Sequence, residues 1–164
     1  MSRFSLEFRP IDLQRHADLC LRFIEDTHLC SFGSMDGFAA EDGQKPQHFI
    51  ERIAAKLAQD PQSCLHVWIA DDIVGQLNFG TFVDPSIGYI SHFYVVPSWR
   101  GTGVATEMDD FATHHFKQRG YKVARLSVTS ANARAMQFYQ KHGWKDLGPR
   151  EDRPVSHNME KRYE

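Results

Sequence analysis

A run of strand-forming residues, Ile90 to Val96, stops at Pro97-Ser98-Trp99. It then passes through Arg100-Gly101-Thr102-Gly103-Val104-Ala105 into a segment of helical period. Apolar residues fall at Val104, Ala105, Met108, Phe111, Ala112 and Phe116, the spacing of one helix face. Glu107, Asp109 and Asp110 lie early and Lys117 and Arg119 late, as a helix dipole favours, and Gly120 is the expected stop. Strand, glycine turn and helix in this order constrain the chain more than any other stretch. The first turn of a helix carries N–H groups with no intrahelical partner, and the two glycines let a bulky anion approach them. A phosphate or pyrophosphate is the natural occupant. A dinucleotide fingerprint asks for glycine or alanine where Thr106 stands, and the Gly-Lys-Ser/Thr of a P-loop is absent. On the turn alone, a capped strand-to-helix connection without ligand stays open.

Two blocks together are more specific than the turn. Tyr94-Val95-Val96-Pro97 followed by Arg100 to Ala105 resembles the acetyl-coenzyme A signature Q/R-x-x-G-x-G/A of the GNAT superfamily of N-acetyltransferases. Asn132-Ala133-Arg134-Ala135-Met136-Gln137-Phe138-Tyr139-Gln140-Lys141-His142-Gly143-Trp144 is similar to that superfamily's N-x-x-A-x-x-x-Y-x-x-x-G-F segment, in family order and at family-like separation.

The remaining chain reads as the elements such a fold needs. Leu6 and Phe8 alternate with polar neighbours up to Pro10, a first strand. Asp12 can cap a helix carrying Leu13, Ala17, Leu21 and Ile24. A glycine-containing loop is expected from His28 to Gln44, then a helix opened by Pro46 through Phe49, Ile50, Ile53 and Leu57. Cys64 to Ala70 and Ile73 to Val83 read as strands around a tight Asp71-Asp72 turn, with a bulge at Gly75. Val123 to Val128 is a strand, Gly143 ends the Asn132 helix, and Trp144 to Leu147 with Val155 to Lys161 form a closing hairpin. The order is β-α-α-β-β-β-α-β-α-β-β. The fold class is α+β in three layers, a mixed and mostly antiparallel sheet of about seven strands with helices on both faces. Residues 1–164 are expected to form one N-acetyltransferase domain.

The resemblance implies acetyl transfer from acetyl-CoA to a primary amine of a small molecule or peptide, by direct attack in a ternary complex. The turn Arg100, Gly101, Thr102, Gly103, Val104, Ala105 would anchor the cofactor. The backbone of Phe93, Tyr94 and Val95 would pair with the pantetheine amides like an added strand, with the Val95 N–H as oxyanion donor. Tyr139 is the expected general acid, with a core tyrosine as the alternative. Asn132 is either a cofactor contact or a helix N-cap, or both.

Members that acetylate protein N-termini often carry Leu-Glu-Val where this chain has Leu126-Ser127-Val128, and a serine cannot take a proton from an ammonium. His92 is the replacement base candidate, since imidazole titrates near neutral pH. A structural histidine, a water chain, or Asp36 or Glu41 are the other readings. The resemblance places the acceptor beside the His28 to Gln44 loop, whose Phe32, Asp36, Phe38, Glu41 and Asp42 would suit a cationic polyamine, amino sugar or amino-acid-like amine. A solvated acidic loop is the plainer alternative. A non-catalytic acyl-CoA sensor and an unrelated phosphate-binding module are the competing functional classes.

Composition narrows the rest. With 41% apolar residues in 164, the chain can build a core. A net charge of −2 argues against general nucleic-acid binding. The start Met1-Ser2-Arg3-Phe4 has no apolar h-region and no run reaches membrane-spanning length, so a soluble cytoplasmic protein is expected. Cys20, Cys30 and Cys64 lack metal or disulfide spacing, and nine scattered histidines give no metal pattern. No metal is expected. The family resemblance allows a homodimer.

Overall fold

The computed structural model describes residues 4–33 and 46–163. In chain order the elements are β1 (Glu7–Pro10), α1 (Leu13–Phe32), α2 (Pro46–Gln59), β2 (Cys64–Ile69), β3 (Asp72–Thr81), β4 (Gly88–Val95), α3 (Val104–Gln118), β5 (Val123–Thr129), α4 (Ala133–Lys141), β6 (Lys145–Pro149) and β7 (Ser156–Arg162). The seven strands form one sheet in the order β1-β2-β3-β4-β5-β7-β6. Every neighbouring pair is antiparallel except β4 and β5, which run parallel. This is the mixed, mostly antiparallel sheet expected, in the expected element order.

Alternation along the strands sorts the two faces. Leu65, Val67, Leu77 and Phe79 point to one side and pack with Val104, Met108 and Phe116 of α3 and with Trp144 and Met159. Cys64 points to the other side, where it meets Ile11, Cys20 and Ile53 with Leu13 and Phe49 of the first two helices. That second face also carries a polar row. His66 Nε2 lies 3.0 Å from Gln76 Oε1 and 3.6 Å from Cys20 Sγ, and the Gln76 amide donates to Asn78 Oδ1 at 3.4 Å. Burial pushes the Cys20 thiol up to about 12, so this cysteine is an inert packing group.

Three local readings change. The loop expected from His28 begins later, because α1 continues to Phe32 and ends where Gly33 adopts φ 73 as its left-handed cap. The β2–β3 turn is Ala70-Asp71, one residue earlier than expected, with Ile69 paired to Asp72 and Ala70 at φ 52. β3 ends at Thr81, short of Val83. The bulge at Gly75 is present: Val67 pairs with Gly75 and Trp68 with Ile73, leaving Val74 extra. A Cβ on Gly75 would lie 2.6 Å from the Tyr94 carbonyl oxygen, so the close approach of β3 and β4 here requires glycine.

The feature that shapes the site is a parting of strands. Asn78 pairs with His92 but Phe79 with Ile90, so Ser91 is an extra residue in β4. β4 and β5 pair only from Gly88↔Ala124 to Ile90↔Leu126 and then diverge, while β5 stays paired with β7 as far as Thr129↔Ser156. A wedge opens between the C-terminal halves of the two parallel strands.

Candidate active site

The backbone of β4 faces this wedge. The Val96 N–H donates to the Val74 carbonyl on the β3 side at 2.9 Å. Strand alternation therefore turns the N–H and C=O of Val95 and of Phe93 the other way, into the gap. The Val95 carbonyl accepts from Arg100 Nε at 2.9 Å. The Val95 N–H and both polar groups of Phe93 remain directed at the wedge.

At its end β4 leads through the 3-10 turn Pro97–Trp99 to the glycine turn. Gly101 and Gly103 have φ 75 and φ 99, left-handed values that only glycine adopts without strain. Gly103 caps α3, and the first intrahelical bond runs from the Glu107 N–H to the Gly103 carbonyl at 3.1 Å. The N–H groups of Val104, Ala105 and Thr106 are thus the unpaired donors of the first turn. Thr102 Oγ1 donates to the Trp99 carbonyl at 2.5 Å and closes the turn.

The side chains of Arg100 and Tyr94 point to α1. Arg100 Nη2 and the Tyr94 hydroxyl both donate to Asp26 Oδ2, at 2.7 and 2.5 Å, and the Arg100 guanidinium lies 5.5 Å over the Tyr94 ring. Burial and then the Asp26 carboxylate raise the Tyr94 phenol well above its ordinary value. Both residues therefore border the wedge through backbone and structural contacts, with their polar side-chain atoms already engaged.

The cavity that follows this backbone has a volume of about 290 Å³ and is lined by Phe93, Tyr94, Val95, Arg100, Gly101 and Ala105 on one side and by Asn132, Arg134, Ala135, Phe138 and Tyr139 on the other. The N-terminal ends of α3 and α4 thus meet at one channel, and both dipoles favour an anion there. Asn132 caps α4, its Oδ1 accepting from the Ala135 N–H at 3.2 Å. Arg134 Nη2 comes within 3.7 Å of where a Cβ on Gly101 would sit. This guanidinium beside the glycine turn is a component that motif reading passed over, although it lies inside the second block.

A second cavity of about 270 Å³ lies beyond the first. Its walls are the C-terminal half of α1, the strands β4 and β5, and the β6–β7 connection. Thr27, Phe93, Asn132, Ala135 and Tyr139 line both cavities, so they form the partition where contents of the two would meet. Tyr139 is 8% exposed, and its ring sits edge-on to Phe93 at 5.8 Å and to Trp144 at 6.2 Å. Burial, and secondarily the Asp109 carboxylate, raise its phenol well above 10, so the hydroxyl holds its proton throughout the neutral range.

Tyr139 is braced from behind. Trp144 N–H donates to the Tyr139 carbonyl at 2.9 Å, and the Trp144 indole donates to Asp109 Oδ1 at 2.9 Å. Asp109 Oδ2 accepts from Lys161 Nζ at 2.8 Å, with the Asp109 side chain 2% exposed. One carboxylate on α3 thereby ties the end of α4 to β7.

His92 faces α1 and α2, opposite Phe93, as alternation requires. Its Nε2 lies 2.8 Å from Thr27 Oγ1, whose single proton goes to the Phe23 carbonyl at 2.8 Å. The imidazole therefore donates from Nε2 and its buried Nδ1 has no hydrogen-bond partner. Burial, with Lys56 and His66 nearby, lowers this histidine to about 4. His92 lines the second cavity as a neutral ring of low basicity. Ser127 lies on the same cavity, with its hydroxyl accepting from Arg150 Nη1 at 3.2 Å. Asp36, Phe38, Glu41 and Asp42 lie outside the described residues; Phe32 is at the cavity wall. Among the described residues no group of three His, Cys, Asp or Glu side chains could hold a metal ion, and no helix is long and apolar enough to cross a membrane.

Known proteins of this architecture are numerous. The structure overlays on PaiA N-acetyltransferase from Thermoplasma acidophilum in complex with coenzyme A at a TM-score of 0.76, with 15% identity over 97% of this chain and 99% of that one. An acetyltransferase from Thermus thermophilus gives a TM-score of 0.71 at 15% identity, covering 99% of each chain. In sequence, an uncharacterised N-acetyltransferase of Archaeoglobus fulgidus is 34% identical over 61 residues, 37% of this chain and 42% of the relative's length. The family model for the acetyltransferase (GNAT) family matches residues 22–144, from within α1 through the partition to Trp144. Wedge, glycine turn and second block all fall inside that match, and the chain belongs to the GNAT acetyltransferase family.

Proposed function

We propose that this protein transfers an acetyl group from acetyl-CoA to a primary amine of a small molecule or peptide, by direct attack within a ternary complex, and that residues 1–164 act as one such domain. The observation that carries the reading is the wedge. A backbone edge with free donors ends at a glycine turn between two helix N-termini, and beyond a shared wall lies a second cavity. One relative of the same fold holds coenzyme A. The Gly101–Ala105 turn and Arg134 would take the pyrophosphate, and Phe93 and Val95 would pair with the pantetheine amides. The Val95 N–H would stabilise the oxyanion.

In the reaction the amine nitrogen attacks the thioester carbonyl and the C–S bond breaks. The departing sulfur takes the proton of Tyr139, which recovers one from the nitrogen that has just bonded to carbon. Burial keeps this phenol protonated and makes it a weak acid, so its proton passes to sulfur only in concert with the proton it takes from the nitrogen, which turns acidic as it bonds to carbon. Asn132, whose Oδ1 caps α4, borders both cavities. A non-catalytic acyl-CoA sensor would share the cofactor cavity but has no use for the second one.

His92 is placed to steady α1 through Thr27 rather than to take the amine's proton. A base of pKa about 4 has little drive to deprotonate an ammonium of about 8 to 10. The amine then enters neutral. Because His92 stays uncharged above about pH 5, kcat/KM should rise with unit slope to the acceptor's own pKa and show no inflection near 6.5. A midpoint between 6 and 7 that persists when the acceptor is changed, and disappears in His92→Gln, would instead make this imidazole the base.

Gly103→Val tests the cofactor site separately. A β-branched residue at φ 99 is strained by about 1 to 2 kcal/mol and places methyl groups at the anion's approach. The dissociation constant for acetyl-CoA should rise about tenfold or more by calorimetry. Unchanged affinity would move the pyrophosphate away from this turn.

A further inference from the structure

The second cavity has side-chain donors of its own. Among the described residues that line it, the permanently charged ones are Arg150 and Arg153, and no carboxylate is present. Both stand on the β6–β7 connection, which two backbone bonds hold closed: Arg150 N–H to the Ser156 carbonyl at 2.8 Å and Ser156 N–H to the Arg153 carbonyl at 2.9 Å. Arg150 is oriented from two sides. Nε and Nη2 donate to Asp152, which projects to solvent with 69% of its side chain exposed, and Nη1 donates to Ser127 on β5. The guanidinium plane is thus fixed at the cavity wall, with one proton on each terminal nitrogen beyond those bonds.

Ser91, Ser127, Thr129 and Ser156 continue the same wall. His92 adds no positive charge at neutral pH. The Arg150 donors left over by Asp152 and Ser127 make this wall a place for an acid group. Arginine in particular matches the planar fork of a carboxylate.

Building on the acetyltransferase reading, we propose that the acceptor is an amine that also carries a carboxylate, an amino acid or short acidic amine. Its acid group rests on Arg150, with Arg153 beside it, and its nitrogen reaches the Phe93–Tyr139 partition. The cationic acceptor expected from the acidic residues between His28 and Gln44, which lie outside the described residues, is the opposite outcome of the test.

Matched pairs that differ only by the acid group test this with the full chain: 4-aminobutyrate against propylamine, and β-alanine against ethylamine. Binding is read by calorimetry on protein saturated with coenzyme A, and turnover by thiol release from acetyl-CoA. The acids should bind and react about tenfold to a hundredfold better than their partners. Arg150→Gln should raise KM for the acids about tenfold or more and so narrow or abolish their advantage over the matched amines. Thermal melts of this variant and of Arg153→Gln verify folding, and the paired comparison on the unaltered protein depends on neither. Equal or better use of the amines without carboxylate would overturn the proposal and leave the transferase reading standing. Selective binding of the acids with no thiol release from any amine would uphold the acid site and overturn the transferase.

Discussion

Tyr139→Phe is expected to lower turnover about a hundredfold to ten-thousandfold, the effect of losing a positioned general acid, while acetyl-CoA affinity changes little. The substitution removes one oxygen from a ring held between Phe93 and Trp144, so shape and packing are conserved. The loss should appear in kcat and in kcat/KM alike, because the proton is needed only as the sulfur departs. Single-turnover thiol release measures this directly. A variant that retains activity within a few-fold would return Tyr139 to the status of a core tyrosine, and the departing thiolate would have to be protonated by water.

Asp109→Ala should be among the most destabilising single changes in the molecule, about 3 to 5 kcal/mol by chemical denaturation. It strands the Lys161 ammonium, whose side chain is 18% exposed, and leaves the Trp144 indole N–H without its acceptor. Total stabilities of about 5 to 15 kcal/mol make that a large fraction. Replacing both charges, Asp109→Leu with Lys161→Met, should recover much of the loss, since a buried pair contributes little over apolar packing while a broken one costs heavily. Should Asp109→Ala melt within a degree or two of the parent, the brace behind Tyr139 would not be structural.

Local chemistry made the middle of the fold legible. Gly103 ahead of the periodic run from Val104 set the start of α3, and Asn132 with Gly143 bracketed α4, because caps and left-handed stops act within a few residues. The bulge at Gly75 was legible for the same reason. Gly33 was misjudged: a glycine after an amphipathic run serves equally as a loop residue or as a helix terminator, and only the packed length of α1 decides. Ala70 at φ 52 could not be foreseen, since aspartate is the commoner occupant of such a turn and two stood next to it.

The site was less legible than the fold, and the reason is distance along the chain. Asp26 joins Tyr94 and Arg100 across 68 and 74 residues, and Arg150 reaches Ser127 across 23. No period or motif marks such partners. Alternation set His92 opposite Phe93, but which side faced a cavity depended on how α1 and α4 pack. Its proton affinity depended on burial that composition does not reveal.

The early parting of β4 from β5 leaves part of an inner strand edge without a strand partner. Inner strands of a sheet ordinarily saturate one another, so under the proposed function an amide-bearing molecule would supply the missing rungs. If the wedge takes an acyl carrier as proposed, melting temperature should climb with the logarithm of its concentration, tying how long the protein survives to the supply of that donor.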